Sequence, residues 1–324
     1  MGRGMKYNKY NTEEDWAKCH PDNRELVKEY LMYLKATNKS KTTTEKYEHN
    51  LKLFMVWLLH EVDNIQFAKL TKRHVMRWMA YLQDTGVSSN RIRTLRSTVS
   101  SLANFIENIL SDEDERYEGF RNIILKVPAP VKENLREKVF LTEEQIEVLM
   151  QYLILKEKLR EALYVHLSFV TAARKHEIAQ FKKSDFTEDT MKDGFYRTLP
   201  KHVKSRSSLK TRQFLIPRTE LLDMLLEKWI NSRTDDLEDL FVTYYKGECK
   251  PVGNSTFNEW CDTFAKILGT HVHPHGFRSS SANHFKDSGK DLPKIQALLG
   301  HKSAEVTMVY LRSNDEDDIA DLYN

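Results

Sequence analysis

Between Ile92 and Ile109 the apolar residues Ile92, Leu95, Val99, Leu102, Ile106 and Ile109 recur every three or four positions, a spacing that only an α-helix gathers onto one side. A stripe of that length needs partners. Upstream, Leu26, Tyr30, Tyr33 and Leu34 follow the same rule behind Pro21, with Asp22 placed to cap. Tyr47, Leu51, Phe54 and Leu58 form a second helix after the polar break Thr37 to Thr44. Thr71 can cap a third that carries Val75, Met79 and Leu82 and stops at Gly86, and Ser88 or Ser89 opens the fourth. These elements predict a helical bundle over residues 21–127, preceded by a flexible segment at residues 1–20. The stretch Val127-Pro-Ala-Pro-Val131 is stiff and extended, which places a linker at 128–138. Beyond it, residues 139–324 open with the capping box Thr142-Glu-Glu-Gln145 and continue through helical patterns at 159–171, 221–230, 257–268, 282–286 and 292–299. Only 195–199 and 213–216 are β-prone, separated by a Ser- and Lys-rich stretch, so a small β-hairpin is expected in an otherwise helical domain. The expected fold class is mainly α with a small β element (α+β), in two domains.

The 324 residues hold 50 Lys plus Arg against 47 Asp plus Glu, a formal net charge of only +3, which taken alone argues against a nucleic-acid partner. The average conceals segregation. From Lys69 to Arg96 the cations Lys69, Lys72, Arg73, Arg77, Arg91, Arg93 and Arg96 meet a single acid, Asp84. Residues 197–218 hold seven cations and no acid. The compensating acids collect at 112–115 and 315–318. Two separate basic stretches of this kind steer polyanions. No apolar run is long enough for a membrane span, no signal-like segment opens the chain, and Cys19, Cys249 and Cys261 make neither a disulfide framework nor a paired metal spacing. A cytoplasmic, nucleoid-associated protein is expected.

Four short stretches carry polar residues that a helical core does not need: Thr171-Ala-Ala-Arg174-Lys-His-Glu177, His273-Pro-His275-Gly-Phe-Arg278, Leu298-Leu-Gly300-His301 and Val306-Thr-Met-Val-Tyr310. Each alone reads as a salt bridge, a surface imidazole or a packing tyrosine. A zinc site at His271, His273 and His275 competes for the second stretch, because strand alternation would align three imidazoles.

Taken in order, Arg174, a basic hairpin, His275-x-x-Arg278, Gly300-His301 and Tyr310 resemble the tyrosine recombinase (phage integrase) family, over about residues 20 to 324. The resemblance implies a DNA clamp, an N-terminal helical core-binding domain with a C-terminal catalytic domain, and cleavage of a phosphodiester by Tyr310. The product would be a 3′-phosphotyrosyl link, and strand exchange would pass through a Holliday junction in a homotetramer. Arg174, His275, Arg278 and His301 would surround the phosphate, with Glu177 supporting. Guanidinium suits this role because it stays charged and donates in a fork. Lys204 is the expected leaving-group acid, with Lys201 and Lys210 as alternatives. Lys175, Lys201, Arg206, Lys210 and Arg212 would contact the DNA backbone, as would the basic residues of the N-terminal bundle. No metal, nucleotide or other cofactor is implied. Partners would be a double-stranded recombination site, further copies of a chain that is monomeric in solution, and an accessory directionality factor. The acidic tail, with Ile319, Leu322 and Tyr323, would dock on a neighbouring protomer. Two roles remain open besides a mobile-element integrase: an Xer-like resolvase of DNA dimers, and a non-catalytic regulator on the same fold. Tyr164 and Tyr323 are the fallback nucleophiles.

Overall fold

The computed structural model describes residues 12–131, 140–203, 211–301, 303–308 and 311. The chain divides into two compact units, Met1–Arg136 and Glu137–Asn324.

In the first unit, α1 (Thr12–Trp16), α2 (Pro21–Ala36), α3 (Lys41–Glu61), α4 (Lys72–Asp84) and α5 (Ser89–Asn108) enclose one apolar core. Phe54 is its hub, with Trp78 edge-on at 4.6 Å and Trp57 stacked at 6.0 Å. The α5 stripe is buried from Ile92 through Ile106. Thr71 and Ser88 cap α4 and α5 as their sequence positions suggest. The cap of α2 differs: Pro21 occupies its first turn, so His20 moves into the cap position, where its ring Nδ1 accepts from the Asp22 N–H. The expected flexible lead-in is also corrected over its described part. Cys19 is buried, and Asp15 reaches His60 at 2.8 Å, because α1 packs on α3.

The second unit contains α6 (Glu143–Leu155), α7 (Leu159–Thr171), the single turn α8 (Lys175–Ile178), α9 (Glu220–Asn231), α10 (Thr256–Leu268), α11 (Pro274–Asp287), α12 (Leu292–Leu299) and α13 (Ala304–Met308). Helix α7 is the central strut, packed against α6, α9 and α11. Its Tyr164 is fully buried and stacks on Phe257 at 4.6 Å. The β structure is more extensive than a single hairpin. Strands β1 (Met191–Lys192), β2 (Phe195–Arg197) and β5 (Leu215–Pro217) form an antiparallel sheet in the order β1-β2-β5. Inserted between β2 and β5, β3 (Lys201–His202) pairs with β4 (Thr211–Arg212). A further hairpin, β6 (Val242–Tyr245) with β7 (Glu248–Pro251), escapes the sequence reading. Its signal is the run Phe241-Val-Thr-Tyr-Tyr245 before Lys246-Gly247, both of which take positive φ in the turn. Helix α11 begins well before the expected residue 282, because Pro274 starts it and His273 caps it through an Nδ1 that accepts from Gly276 N at 2.8 Å.

Candidate active site

Helix α7 ends at Thr171, and Ala172 turns the chain with φ 48° in the left-handed region. That turn brings Arg174 to the start of α8. The buried Glu177 carboxylate then works twice: it accepts from the Arg174 N–H at 2.8 Å and from Arg174 Nη1 at 3.1 Å. A carboxylate at a helix N-terminus is favourable in itself, and here it also fixes the direction of a guanidinium that remains partly exposed.

Arg278 lies on α11, wholly buried. It donates through Nη1 to Ala172 O at 2.5 Å, and through Nη2 to Leu299 O and to His301 Nε2, the latter at 2.8 Å. One side chain therefore ties the α7 turn to the C-terminal end of α12. Because a guanidinium only donates, His301 Nε2 must accept. The ring proton then sits on Nδ1, which donates to Thr307 Oγ1 at 3.0 Å on α13. Burial, with Arg278, Arg174, Arg212 and His275 around it, pushes the His301 pKa down to about 4, so the ring is neutral. Its expected role as a phosphate donor is accordingly revised. Both nitrogens are committed, and the imidazole links Arg278 to the helix that precedes Tyr310. Thr307, buried and unmarked by any charge, was missed in the sequence; its position six residues after His301 is the only signal.

His275 lies beside a cleft of about 440 Å³ lined by Arg174, Lys175, His176, Asn258, His273 and His275. Burial, followed by the positive charge of Arg278, His273, Arg174 and Lys175, pushes its pKa down to about 4. The cationic part of that effect is one that an entering anion would offset. The zinc alternative loses its geometry. The rings of His271 and His273 are 5.4 Å apart, but Pro274 turns the chain into α11 and puts His275 on a helix. The Ser-Ser-Ser after Arg278 has a structural use, since Ser280 Oγ accepts from Leu141 N at 2.7 Å.

Four residues expected to contact DNA are turned inward or tied down. Lys201 is 3% exposed, with its ammonium 2.6 Å from Asp185 Oδ2; that buried carboxylate also accepts from the backbone N–H groups of Lys182 and Leu199. A charge so buried is matched internally, so it is no surface contact. Arg212 donates to Leu298 O and lies over the Phe214 ring at 4.4 Å. Arg96 donates to Ile124 O and Val127 O at 2.8 and 2.6 Å, closing the chain after α5. Lys175, at the cleft, donates to Asn254 O and Asn258 Oδ1. In contrast, Lys69, Lys72, Arg73, Arg77 and Arg93 are exposed. Arg77 meets Glu61 at 3.3 Å, and Arg93 donates one N–H to Pro130 O. Arg91 is held by Asn50 Oδ1 at 2.7 Å in a groove of about 920 Å³ that Lys46, Tyr47 and Arg93 also line. Lys204, Arg206, Lys210, Tyr310, Tyr323 and the acidic tail lie outside the described residues. Among the described residues, no helix is long and apolar enough to cross a membrane.

The structure thus brings Arg174, Glu177, His275, Arg278, His301 and Arg212 into one electropositive corner between α7, α11 and α12. Such a corner can hold a phosphate diester and stabilise charge on its nonbridging oxygens. Comparison with known proteins is consistent with that chemistry. The phage integrase family matches residues 139–317, and its N-terminal SAM-like domain matches residues 27–108. The SPbeta prophage-derived recombinase-like protein YomM of Bacillus subtilis is 30% identical over 272 residues, 83% of this chain and 80% of that protein. Tyrosine recombinase XerA of Pyrococcus furiosus is 29% identical over 289 residues, 89% of each chain. Among solved structures, a lambda integrase tetramer bound to a Holliday junction superposes with a TM-score of 0.65 at 18% identity, covering 89% of this chain and 76% of that one. The Tn1549 transposon integrase in complex with a circular intermediate DNA gives 0.63 at 13% identity, covering 92% and 99%. Motifs, site and fold agree, and the chain belongs to the phage integrase family, the tyrosine recombinases.

Proposed function

We propose that the chain is a site-specific DNA recombinase that cleaves and rejoins DNA strands through Tyr310. The observation that carries this reading is the convergence of three separate stretches of the sequence: Arg174 and His275 line one cleft, and Arg278 and His301 lie beside them. The Tyr310 phenolate attacks the phosphorus, the bond to the 5′ oxygen breaks, and the tyrosine is left carrying a 3′-phosphoryl end. His275, neutral near pH 7, takes the phenol proton, since a tyrosine of ordinary pKa about 10 is otherwise un-ionised. Arg174 and Arg278 bind the nonbridging oxygens, Arg278 by exchanging one of its bonds to Ala172 O, Leu299 O or His301, and removal of one such donor typically costs about 3 to 4 kcal/mol of barrier. Lys204 protonates the leaving 5′ hydroxyl; Lys201 could serve only by leaving Asp185. No metal or nucleotide enters, because the phosphotyrosine conserves the energy of the broken bond.

In this reading both units contact double-stranded DNA, four copies assemble on two sites, and exchange passes through a Holliday junction; the solved lambda integrase assembly is a tetramer bound to such a junction. A role in the movement of a phage or other mobile element is favoured by the prophage-derived relative. The similarity to XerA supports the second reading, resolution of DNA dimers. Attachment sites or inverted repeats in the flanking DNA would separate the two. The activity itself is tested with a nicked suicide duplex. Wild type should accumulate a covalent protein–DNA adduct and Tyr310→Phe none. An adduct that persists in the variant refutes Tyr310 as nucleophile, and no adduct with wild type favours a non-catalytic DNA-binding regulator.

A further inference from the structure

We propose that Arg212 is a positioning residue for the cleavage step, strapping strand β4 to the C-terminal end of α12 and thereby fixing Gly300 and His301 ahead of Tyr310. This rests on the recombinase reading of the site. The last carbonyls of a helix have no intrahelical partner and carry partial negative charge, so a cation there is stabilising. At the end of α12 two consecutive carbonyls are taken by guanidinium groups from different elements: Leu298 O by Arg212 and Leu299 O by Arg278. Arg278 is the expected phosphate ligand, whereas Arg212, expected at the DNA backbone, is instead spent on Leu298 O. Its guanidinium carbon lies 4.4 Å over the ring centroid of Phe214, which is itself buried in the core. A Cβ on Gly300 would stand 3.0 Å from Arg212 Nη1.

Gly300 is therefore required twice, by its left-handed φ of 62° and by the guanidinium lying against it. Arg212 Nη1 is buried, with no hydrogen-bond partner among the described residues. Such an orphan calls for an explanation. Here the position of the group is dictated by Leu298 O, Phe214 and Gly300 rather than by its own full satisfaction. Lysine would not substitute, since a single ammonium cannot both stack on Phe214 and reach the carbonyl in one plane. Charge agrees with the placement: burial lowers the Arg212 pKa, Glu177 opposes that and Arg174 reinforces it, so the strap belongs to the cluster that holds the first arginine. The strand it leaves from is paired with β3, which ends two residues before Lys204 in the sequence.

The test is single-turnover cleavage by the full chain at saturating DNA, on nicked duplexes whose leaving group is either the normal 5′ oxygen or a 5′ sulfur that departs without a proton. Arg212→Met should slow adduct formation about tenfold or more on both substrates, with DNA affinity changed less than about twofold. Three results overturn the strap: cleavage at the wild-type rate; rescue by sulfur, which would mean that Arg212 acts through the proton donor; or weakened binding with a salt slope smaller by about one, which would mean a phosphate contact. If Arg212→Met does not fold, Arg212→Lys, Gly300→Ala and their combination replace it. The proposal expects Gly300→Ala to slow cleavage less in the lysine background than in wild type, and additive effects reject it. Absence of adduct with wild type is the separate failure of the recombinase reading, and it removes this inference with it.

Discussion

Arg96 in the N-terminal unit and Arg278 in the catalytic unit make the same kind of bond. Each lies on a long helix and donates its Nη2 to a backbone carbonyl at the end of another segment, Val127 O in one case and Leu299 O in the other. What separates them is the company they keep. Arg96 closes a chain turn, where the charge acting on it among the described residues is that of Arg93. Arg278 shares its corner with Arg174, His275 and His301, and the ring it touches leads through Thr307 toward Tyr310. An arginine bonded to carbonyls is thus structural in either unit. It becomes part of a reaction centre when further cations converge on space that a ligand can enter.

The largest effect that should set the two apart is their truncation. Arg278→Ala leaves two carbonyls and an imidazole without a donor in a buried site, so unfolding free energy measured with urea should fall by about 3 kcal/mol or more, and single-turnover cleavage by at least about a hundredfold. Arg96→Ala should cost about 1 to 2 kcal/mol and leave cleavage at saturating DNA unchanged. Equal losses of cleavage would break the distinction. Next, Glu177→Gln keeps the shape but removes the charge that orients Arg174; cleavage should slow about tenfold at constant DNA affinity. Thr307→Val removes the acceptor for the His301 Nδ1 proton and frees the ring to change tautomer. A loss of several-fold is expected, visible in the rate of adduct formation and absent from binding. Smaller still, Arg73→Ala should weaken DNA binding nearly uniformly across sequences and lower its salt slope by about one, with cleavage at saturation intact.

The pH dependence follows from the same corner. His275 and His301 have pKa values near 4 in the folded chain, below the usual 6.5, so the unfolded chain binds protons more readily between those values. Their contribution to stability is complete above about pH 6.5 and is lost as the pH falls toward 4. Melting temperature should drop across that window, less so in His275→Asn, and added sulfate should shrink the drop by raising both pKa values. A pH-independent melting temperature would show that burial and the surrounding cations do not hold the two rings deprotonated.

The N-terminal bundle was readable almost residue by residue, because α5 buries the stripe that its spacing announces and Thr71 and Ser88 cap where local chemistry puts them. The grouping of Arg174, His275, Arg278 and His301 was readable only from motif order, since no periodicity relates residues a hundred positions apart. What escaped was whatever depends on tertiary partners. Lys201, Arg96 and Arg212 look like their exposed neighbours in a basic stretch, and only Asp185, two carbonyls at the end of the bundle, and Leu298 O reveal that they are spent internally. Thr307 matters through one hydrogen bond to an imidazole whose tautomer another residue sets. The β6–β7 hairpin was missed because its four-residue strands are too short for alternation to be seen.

The most direct test of the account is the identity of the protein–DNA bond. Wild-type protein is trapped on a nicked duplex, the adduct is digested with trypsin and nuclease, and the linked peptide is sequenced by mass spectrometry. The account predicts a phosphoryl group on Tyr310 attached to the 3′ end of the cleaved strand. A link at any other residue, or a 5′-phosphoryl attachment, contradicts it.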